Sequence, residues 1–191
     1  MIYTNGMDIK ELKIPGVFEI QLKQIRDERG FFMRTYEKRV FENAGIDRKW
    51  VEENHSLSKI KGTVRGLHFQ FQPDSQTKLV RVSSGELMDV YIDLRKNSST
   101  FGQWGSIILS GEIGNMIYIP KGFAHGICTL RKNCDLLYKV DKYYNSKNES
   151  TIRWNDPDIG IKWPIKNPTV ISERDKNAQS FKEFAEKYGG L

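Results

Sequence analysis

Short apolar segments alternate with polar turns along most of the chain. The apolar residues at 88, 90, 92 and 94 alternate with Asp89, Tyr91 and Asp93, which is the two-residue period of a strand with one buried face. Further strands are predicted at 63–71, 77–82, 107–109, 116–119, 127–130 and 136–140. Gly111 and the segment 120–122 provide turn signals between them. The pattern is therefore typical of a β-rich chain.

Helical periodicity is confined to two segments. Thr35 is expected to cap a helix over 36–44 that Gly45 ends. Ser180 is expected to cap an amphipathic helix that runs to Tyr188, before Gly189 and Gly190. Many short strands with only short peripheral helices predict an all-β fold, a sandwich or jelly-roll β-barrel. We interpret residues 1–191 as a single domain with a C-terminal helical extension from about residue 176.

Composition narrows the classes of function. The chain has 191 residues, of which 38% are hydrophobic and 12% aromatic. This apolar content is enough to form a sizeable core and argues against intrinsic disorder. Lysine and arginine number 30 against 24 acidic residues, giving a net charge of +6. The basic residues are scattered and form no zinc-finger or RNA-binding signature, so nucleic acid is not an expected partner. A small anionic ligand suits this charge.

The cellular compartment is predicted from what the sequence lacks. The opening ten residues have no apolar core of a secretory signal, and no segment reaches the length of a membrane span. Cys128 and Cys134 are too few for a disulfide framework. We therefore expect a cytoplasmic protein without membrane association.

His68 and Lys78 are candidate site residues. Residues 72–75 form a turn signal between the predicted strands 63–71 and 77–82. If these strands pair as a hairpin, His68 lies opposite Lys78 on one face. Arg65 has the opposite parity and reaches that face only if Gly66 marks a bulge. The alternative interpretation is a solvated hairpin face.

Tyr138 and Tyr144 share parity, so that one or both could point inward; the alternative is a barrel-wall aromatic with a satisfied hydroxyl. A metal site is not expected, because the three histidines are separated and His68 has no Glu or His at metal-ligand spacing. The chain also lacks a Walker loop, a dinucleotide fingerprint and a nucleophile elbow. Cofactor-free acid–base chemistry and plain ligand binding remain.

Six ordered motifs resemble one known family. They are Asp27-Glu28-Arg29-Gly30-Phe31-Phe32, Asn54-His55-Ser56, Arg65-Gly66-Leu67-His68-Phe69-Gln70, Lys78-Leu79-Val80-Arg81, Gly122-Phe123-Ala124-His125-Gly126 and Trp154-Asn155-Asp156-Pro157. Together they resemble the dTDP-4-dehydrorhamnose 3,5-epimerases, over about residues 13–175. The resemblance implies a cupin-type jelly roll, a homodimer, no metal or cofactor, and a nucleoside-diphosphate 4-keto-6-deoxyhexose as substrate. It also implies a place in deoxysugar biosynthesis for a surface polysaccharide.

The resemblance also assigns roles by position. His68 matches the family's catalytic base, Tyr138 its proton donor and Asp175 the carboxylate that partners the histidine. Lys78 matches a substrate contact that would stabilise the enolate oxygen. Further substrate- or nucleotide-binding positions fall on Arg29, Phe32, Asn54, Arg65, His125, Tyr144, Glu149 and Arg174. Arg29 and Phe32 match nucleotide contacts that the family donates near the dimer interface. Arg174 stands where the family frequently has lysine.

Two nucleotide-binding positions depart from the family pattern. Glu52 stands where the family usually has glutamine, and Arg34 where it usually has glutamate. The two could form a salt bridge; they are either neutral changes or signs of another base or sugar, such as a cytidine-linked 4-keto sugar. The alternatives to double epimerisation are therefore a single-carbon epimerase, an enzyme for another nucleotide, or a non-catalytic cupin that binds sugar nucleotides.

Overall fold

A computed structural model describes residues 2–4 and 6–191. Its strands are β1 (Ile2–Thr4), β2 (Met7–Glu11), β3 (Phe18–Leu22), β4 (Ile25–Asp27), β5 (Gly30–Phe32), β6 (Glu52–Ser58), β7 (Val64–Gln70), β8 (Lys78–Ser84), β9 (Glu86–Asp93), β10 (Trp104–Ser110), β11 (Asn115–Ile119), β12 (Phe123–Thr129), β13 (Cys134–Val140) and β14 (Glu149–Thr151). The helices are α1 (Lys38–Asn43), α2 (Glu173–Lys176) and α3 (Phe181–Tyr188).

Two antiparallel sheets face each other. The larger sheet has the order β1-β2-β3-β11-β8-β13-β6 and the smaller one β10-β9-β12-β7-β14. Their inner faces share one apolar core, in which Val80 and Ile117 of the larger sheet pack with Leu87 and Ile127 of the smaller sheet. This arrangement confirms the predicted all-β jelly roll with short peripheral helices.

The prediction that β7 and β8 pair as a hairpin is wrong. β7 pairs with β12 and β14, whereas β8 pairs with β11 and β13, so the two strands belong to opposite sheets. The loop between them is long enough to cross from one sheet to the other, and it is anchored to the β13–β14 loop. There, Asp74 Oδ2 accepts hydrogen bonds of 2.6 Å from the side-chain amides of Asn145 and Asn148.

β9 is buried on both faces, not on one as its alternation predicts. Leu87 and Tyr91 point into the core between the sheets, while Met88, Val90 and Ile92 pack on the other side of the smaller sheet, in the same cluster as Phe184 of α3. The C-terminal segment covers that outer face, whereas Asp89 and Asp93 share the inward face of Leu87 and Tyr91 and are therefore wholly buried instead of facing water.

The two predicted helices form, with one corrected start. α3 begins after Ser180, whose side chain makes a reciprocal capping box with Glu183, and ends at the left-handed Gly189. α1 begins at Lys38 after Glu37, and no side chain caps it, so Thr35 is not its cap. None of the helices in the described ranges is long and apolar enough to cross a bilayer.

Candidate active site

The interior of the barrel opens into three cavities that His68 lines. Their volumes are about 580, 130 and 180 Å³. Between them they bring together most of the residues predicted from the sequence: Glu52, Asn54, Arg65, His68, Lys78, His125, Tyr138, Tyr144, Glu149, Arg174 and Asp175. His68 and Lys78 therefore do converge, but across the barrel from opposite sheets and not along one hairpin.

Asp175 holds the imidazole of His68. Its Oδ1 lies 2.7 Å from His68 Nε2, and its Oδ2 accepts a 3.1 Å hydrogen bond from the Gly66 amide. The Ser172 hydroxyl caps α2 by accepting a hydrogen bond from the backbone amide of Asp175, which holds the backbone that carries this carboxylate. Burial alone would raise the pKa of Asp175, but the hydrogen bonds from His68 and Gly66 lower it below its ordinary value. Asp175 is therefore a carboxylate that orients His68.

A bulge at Gly66 puts Arg65 beside His68. His125 pairs with His68 and Ile127 pairs with Arg65, so two β7 residues oppose Gly126 alone. Gly66 has a φ of +118°, and a Cβ there would approach the Gly126 Cα to 2.6 Å, which only glycine avoids. The bulge that Arg65 needs in order to reach the side of His68 is therefore present. It turns the Arg65 guanidinium toward the His68 cavity, where its Nε donates to Ser58 Oγ at 3.2 Å.

Lys78 and Tyr138 reach this interior from the larger sheet. Burial lowers the pKa of Lys78 to about 8, against the opposing influence of the Glu149 and Asp89 carboxylates. Burial, together with Glu149 and Glu52, raises the pKa of Tyr138. At neutral pH the larger sheet therefore presents a cation and a protonated phenol to the cavity, while His68 faces them from the smaller sheet.

A network of Glu149, Arg174 and Tyr144 borders the largest cavity. The Arg174 guanidinium donates two hydrogen bonds of 2.6 and 2.9 Å to the Glu149 carboxylate, and the Tyr144 hydroxyl donates a third of 2.9 Å. Burial would raise the pKa of Glu149, but these donors lower it. Of the two tyrosines that share parity, Tyr138 points inward and Tyr144 lies exposed beside Glu149.

The two residues that depart from the family pattern do not form a salt bridge with each other. Arg34 pairs with Glu37 at 2.9 Å and lines a separate cavity of about 440 Å³. Glu52 lines the His68 cavity with Asn54, and its Oε1 accepts a 3.2 Å hydrogen bond from the Tyr144 amide. The suggested Arg34–Glu52 ion pair is therefore wrong: Arg34 pairs with Glu37, and Glu52 accepts from the Tyr144 amide.

Arg29 and Phe32 lie away from these cavities. They belong to the two-stranded hairpin β4–β5, which pairs with neither large sheet. The Arg29 side chain is 85% exposed and pairs with Asp27 of the same hairpin. Phe31 and Phe32 are 51% and 63% exposed. The structure of one chain therefore does not bring this hairpin to His68.

Asp89 is a site residue that the sequence analysis missed. Its Oδ2 lies 2.8 Å from Nε2 of His125, which itself lines the cavity of Arg65, His68 and Lys78. The signal was an acidic residue inside an otherwise apolar segment, but the alternation assigned it to a solvent face.

In the described part of the chain, no three His, Cys, Asp or Glu side chains converge as metal ligands would.

Comparisons with known proteins agree with this geometry. Residues 11–183 match the family profile described as dTDP-4-dehydrorhamnose 3,5-epimerase. The chain is 44% identical to the dTDP-4-dehydrorhamnose 3,5-epimerase of Shigella flexneri over 176 residues, covering 92% of this chain and 96% of that protein.

Solved structures show the same similarity. The dTDP-4-dehydrorhamnose 3,5-epimerase of Bacillus anthracis, solved with TDP and pyrophosphate, superposes with a TM-score of 0.88 at 41% identity, covering 91% of this chain and 99% of that one. A Legionella pneumophila 3,5-epimerase in complex with dTDP-4-keto-L-rhamnose gives 0.86 at 42% identity, with coverage of 91% and 92%. The chain therefore belongs to the dTDP-4-dehydrorhamnose 3,5-epimerase family and is a nucleotide-sugar epimerase.

Proposed function

We propose that the protein inverts C3 and C5 of a dTDP-linked 4-keto-6-deoxyhexose without a cofactor. His68 acts as the base, Lys78 stabilises the enolate and Tyr138 is the proton donor. The observation that carries the proposal is the placement of a carboxylate-held histidine and a protonated tyrosine on facing sheets, both lining the cavities around Lys78. An inversion needs a base on one face of the sugar and an acid on the other.

The first half of each inversion is proton removal. The 4-ketone acidifies the hydrogens on C3 and C5, so the imidazole of His68 takes one as a proton and its electron pair moves onto the C4 oxygen as an enolate. Asp175 orients His68 and stabilises its cationic form. The Lys78 ammonium lies where it can bind the enolate oxygen, an interaction worth on the order of 3 kcal/mol when preorganised.

The second half is protonation from the opposite face. The raised pKa of Tyr138 keeps its hydroxyl protonated at neutral pH, which is the form a donor needs. The enolate carbon takes the phenolic proton, the C4 carbonyl re-forms and the centre is inverted. The His68 imidazolium then releases its proton to solvent and the Tyr138 phenolate takes one up, which restores both groups for the next cycle.

The nucleotide and a second subunit belong to the same proposal. Arg65 at the largest cavity offers a forked donor suited to a diphosphate, and Arg174, whose own fork pairs with Glu149, adds positive charge there. Tyr144, Glu149, Asn54, Glu52 and His125 are proposed as further substrate contacts. In a homodimer, the exposed β4–β5 hairpin would carry Arg29, Phe32 and the nearby Arg34 to the partner's nucleotide, and burying its phenylalanines would favour association.

Proton NMR in heavy water tests the reaction. Incubation of dTDP-4-keto-6-deoxyglucose with the protein is expected to introduce deuterium at both C3 and C5. Exchange at one carbon only would identify a single-carbon epimerase. If a folded protein gives no exchange, CDP- and UDP-linked 4-keto sugars are tested next, and no exchange with any of them would contradict the enzymatic proposal.

Tyr138→Phe tests the assignment of the donor. Because the phenol acts only after the enolate has formed, the variant is expected to lose product formation more than hydrogen exchange at C3. The measurement compares deuterium loss or gain at C3 with product appearance in one NMR time course. Equal losses in both would count against Tyr138 as the donor.

A further inference from the structure

Asp89 is a wholly buried carboxylate with one hydrogen-bond partner. It lies on β9, between β10 and β12 of the smaller sheet, on the face that carries Leu87 and Tyr91 into the barrel. Its Oδ2 contacts His125 Nε2 at 2.8 Å, and its Oδ1 has no hydrogen-bond partner in the described residues. An unpartnered buried carboxylate oxygen is costly for the fold, so its retention calls for a functional reason.

The contrast with Asp93 on the same strand is direct. Asp93 is equally buried, but its carboxylate accepts from the Arg95 guanidinium at 2.8 and 2.9 Å and from Ser98 and Thr100 at 2.6 Å. These bonds fasten the loop after β9. Asp93 is therefore a satisfied structural carboxylate, whereas Asp89 has only the imidazole that faces the site.

The cavity next to Asp89 presents basic side chains and no acidic one. Arg65, His68, Lys78 and His125 line its volume of about 180 Å³, and neither Asp nor Glu belongs to the described residues around it. Asp89 lies one layer behind, shielded by His125. A carboxylate in that layer attracts the basic groups, but it is farther than they are from an anion that forms in the cavity and therefore repels that anion less than they attract it.

We propose that Asp89 is a positioning residue for the reaction: a buried counter-ion that orients His125 and offsets the positive charge of the groups that bind the enolate oxygen. It acts on the substrate only through His125 and Lys78. This inference rests on the proposed function, since it assumes that an oxyanion develops in this cavity.

Two physical effects follow from this placement. The contact at Oδ2 keeps a proton on His125 Nε2, so in the neutral ring Nδ1 is the nitrogen that can accept a hydrogen bond. Burial disfavours the ammonium of Lys78, and the Asp89 carboxylate opposes that effect. Both effects matter most when negative charge forms on the substrate, so they support the transition state more than ground-state binding.

Asp89→Asn tests the proposal, with Asp93→Asn as the matched control. Asparagine keeps the size of the side chain and removes its charge. For Asp89→Asn we expect kcat to fall about 100-fold with KM little changed, and melting temperature to stay level or rise because a buried charge is lost. For Asp93→Asn we expect a lower melting temperature and wild-type kcat per folded molecule, because only the loop is loosened.

The histidine ring provides a readout that a structural role would not move. In ¹⁵N-labelled protein without substrate, the ring nitrogen signals of His125 are expected to report a protonated Nε2, and to shift in Asp89→Asn but not in Asp93→Asn. Unchanged His125 signals, or wild-type kcat in Asp89→Asn, would overturn the proposal. So would a loss of kcat matched by an equal loss of folded protein.

The two proposals fail in different ways. If the wild-type protein turns over none of the 4-keto sugars, the proposed function fails and the oxyanion role of Asp89 falls with it, while the ring signals still show whether Asp89 orients His125. If the wild type is active and Asp89→Asn is equally active, only the role of Asp89 is overturned.

Discussion

Two histidine–aspartate pairs in this molecule have the same contact distance and opposite surroundings. His68 lies 2.7 Å from Asp175, and His55 lies 2.7 Å from Asp135. The side chains of the first pair are 29% and 4% exposed, and those of the second 59% and 29%. The short contact therefore does not distinguish the candidate catalytic pair, whereas burial and neighbours do.

The strand positions explain the difference. His55 lies on β6, the edge of the larger sheet, where the alternation of exposed Glu53, His55 and Leu57 faces outward. Water screens that pair, which limits its value to about 1 kcal/mol or less. His68 points into the barrel, where fewer waters compete and where Lys78 and Tyr138 converge on the same cavities. His68 is therefore a candidate base, and His55 is not, because only His68 faces the interior of the barrel.

His68→Asn compared with His55→Asn is expected to give the largest effect. Loss of the base should lower kcat by about 10³-fold, whereas loss of the exposed imidazole should leave turnover at the wild-type level. Turnover of dTDP-4-keto-6-deoxyglucose measures both, and circular dichroism checks that both variants fold. Similar activities of the two variants would refute the distinction.

Asp175→Asn compared with Asp135→Asn is expected to give the next largest effect. An amide at 175 can hold His68 in the wrong tautomer and does not stabilise its cation, so kcat should fall about 100-fold. Asp135→Asn should be neutral for activity. The comparison rests on kcat at saturating substrate; an active Asp175→Asn would mean that the carboxylate serves packing only.

Acid sensitivity should also reside in the buried pair. The pKa of Asp175 is below its ordinary value of 3.8 in the folded state, so its ionisation stabilises the fold above that value. The contribution is lost as the pH falls through the lower folded pKa. Urea unfolding from about pH 6 to pH 2 should therefore show a shallower acid loss for Asp175→Asn than for wild type. An unchanged slope would contradict the assignment.

The smallest effect is expected for the stability of the exposed pair. His55→Ala should change the free energy of unfolding by no more than about 0.5 kcal/mol, because solvent already competes for both partners. Urea unfolding at neutral pH measures this value. A loss of more than about 1 kcal/mol would show that edge strand β6 depends on the pair.

Local signals predicted several elements correctly. The Ser180 cap and Gly189 stop of α3 depend on hydrogen bonds within a few residues, and the Gly66 bulge depends on a backbone that only glycine permits. The α3 signals and the strand-rich all-β class were confirmed, and the bulge on which the position of Arg65 depended is present. α1 started later than predicted because Thr35 does not cap it.

Long-range pairing defeated the same reasoning elsewhere. A turn signal at 72–75 cannot say whether the flanking strands pair with each other or separate into two sheets. Likewise, the alternation along β9 cannot show that the face of Leu87, Asp89 and Tyr91 looks into the barrel, and so it placed Asp89 in water. The Arg34–Glu52 pair was wrong because Glu37, three residues along, is a nearer partner.

The sequence by itself determined the strand-rich class, the local caps and turns, and, through ordered motifs, the family. Each of these depends on neighbouring residues or on residue identity. Only the tertiary structure decided that β7 and β8 lie in facing sheets, that His68 is half-buried while His55 is exposed, and that Asp89 lies behind His125. These outcomes depend on how strands far apart in the chain pair and pack, because that packing decides which face of each strand is shielded from water. No single segment of the sequence contains this information.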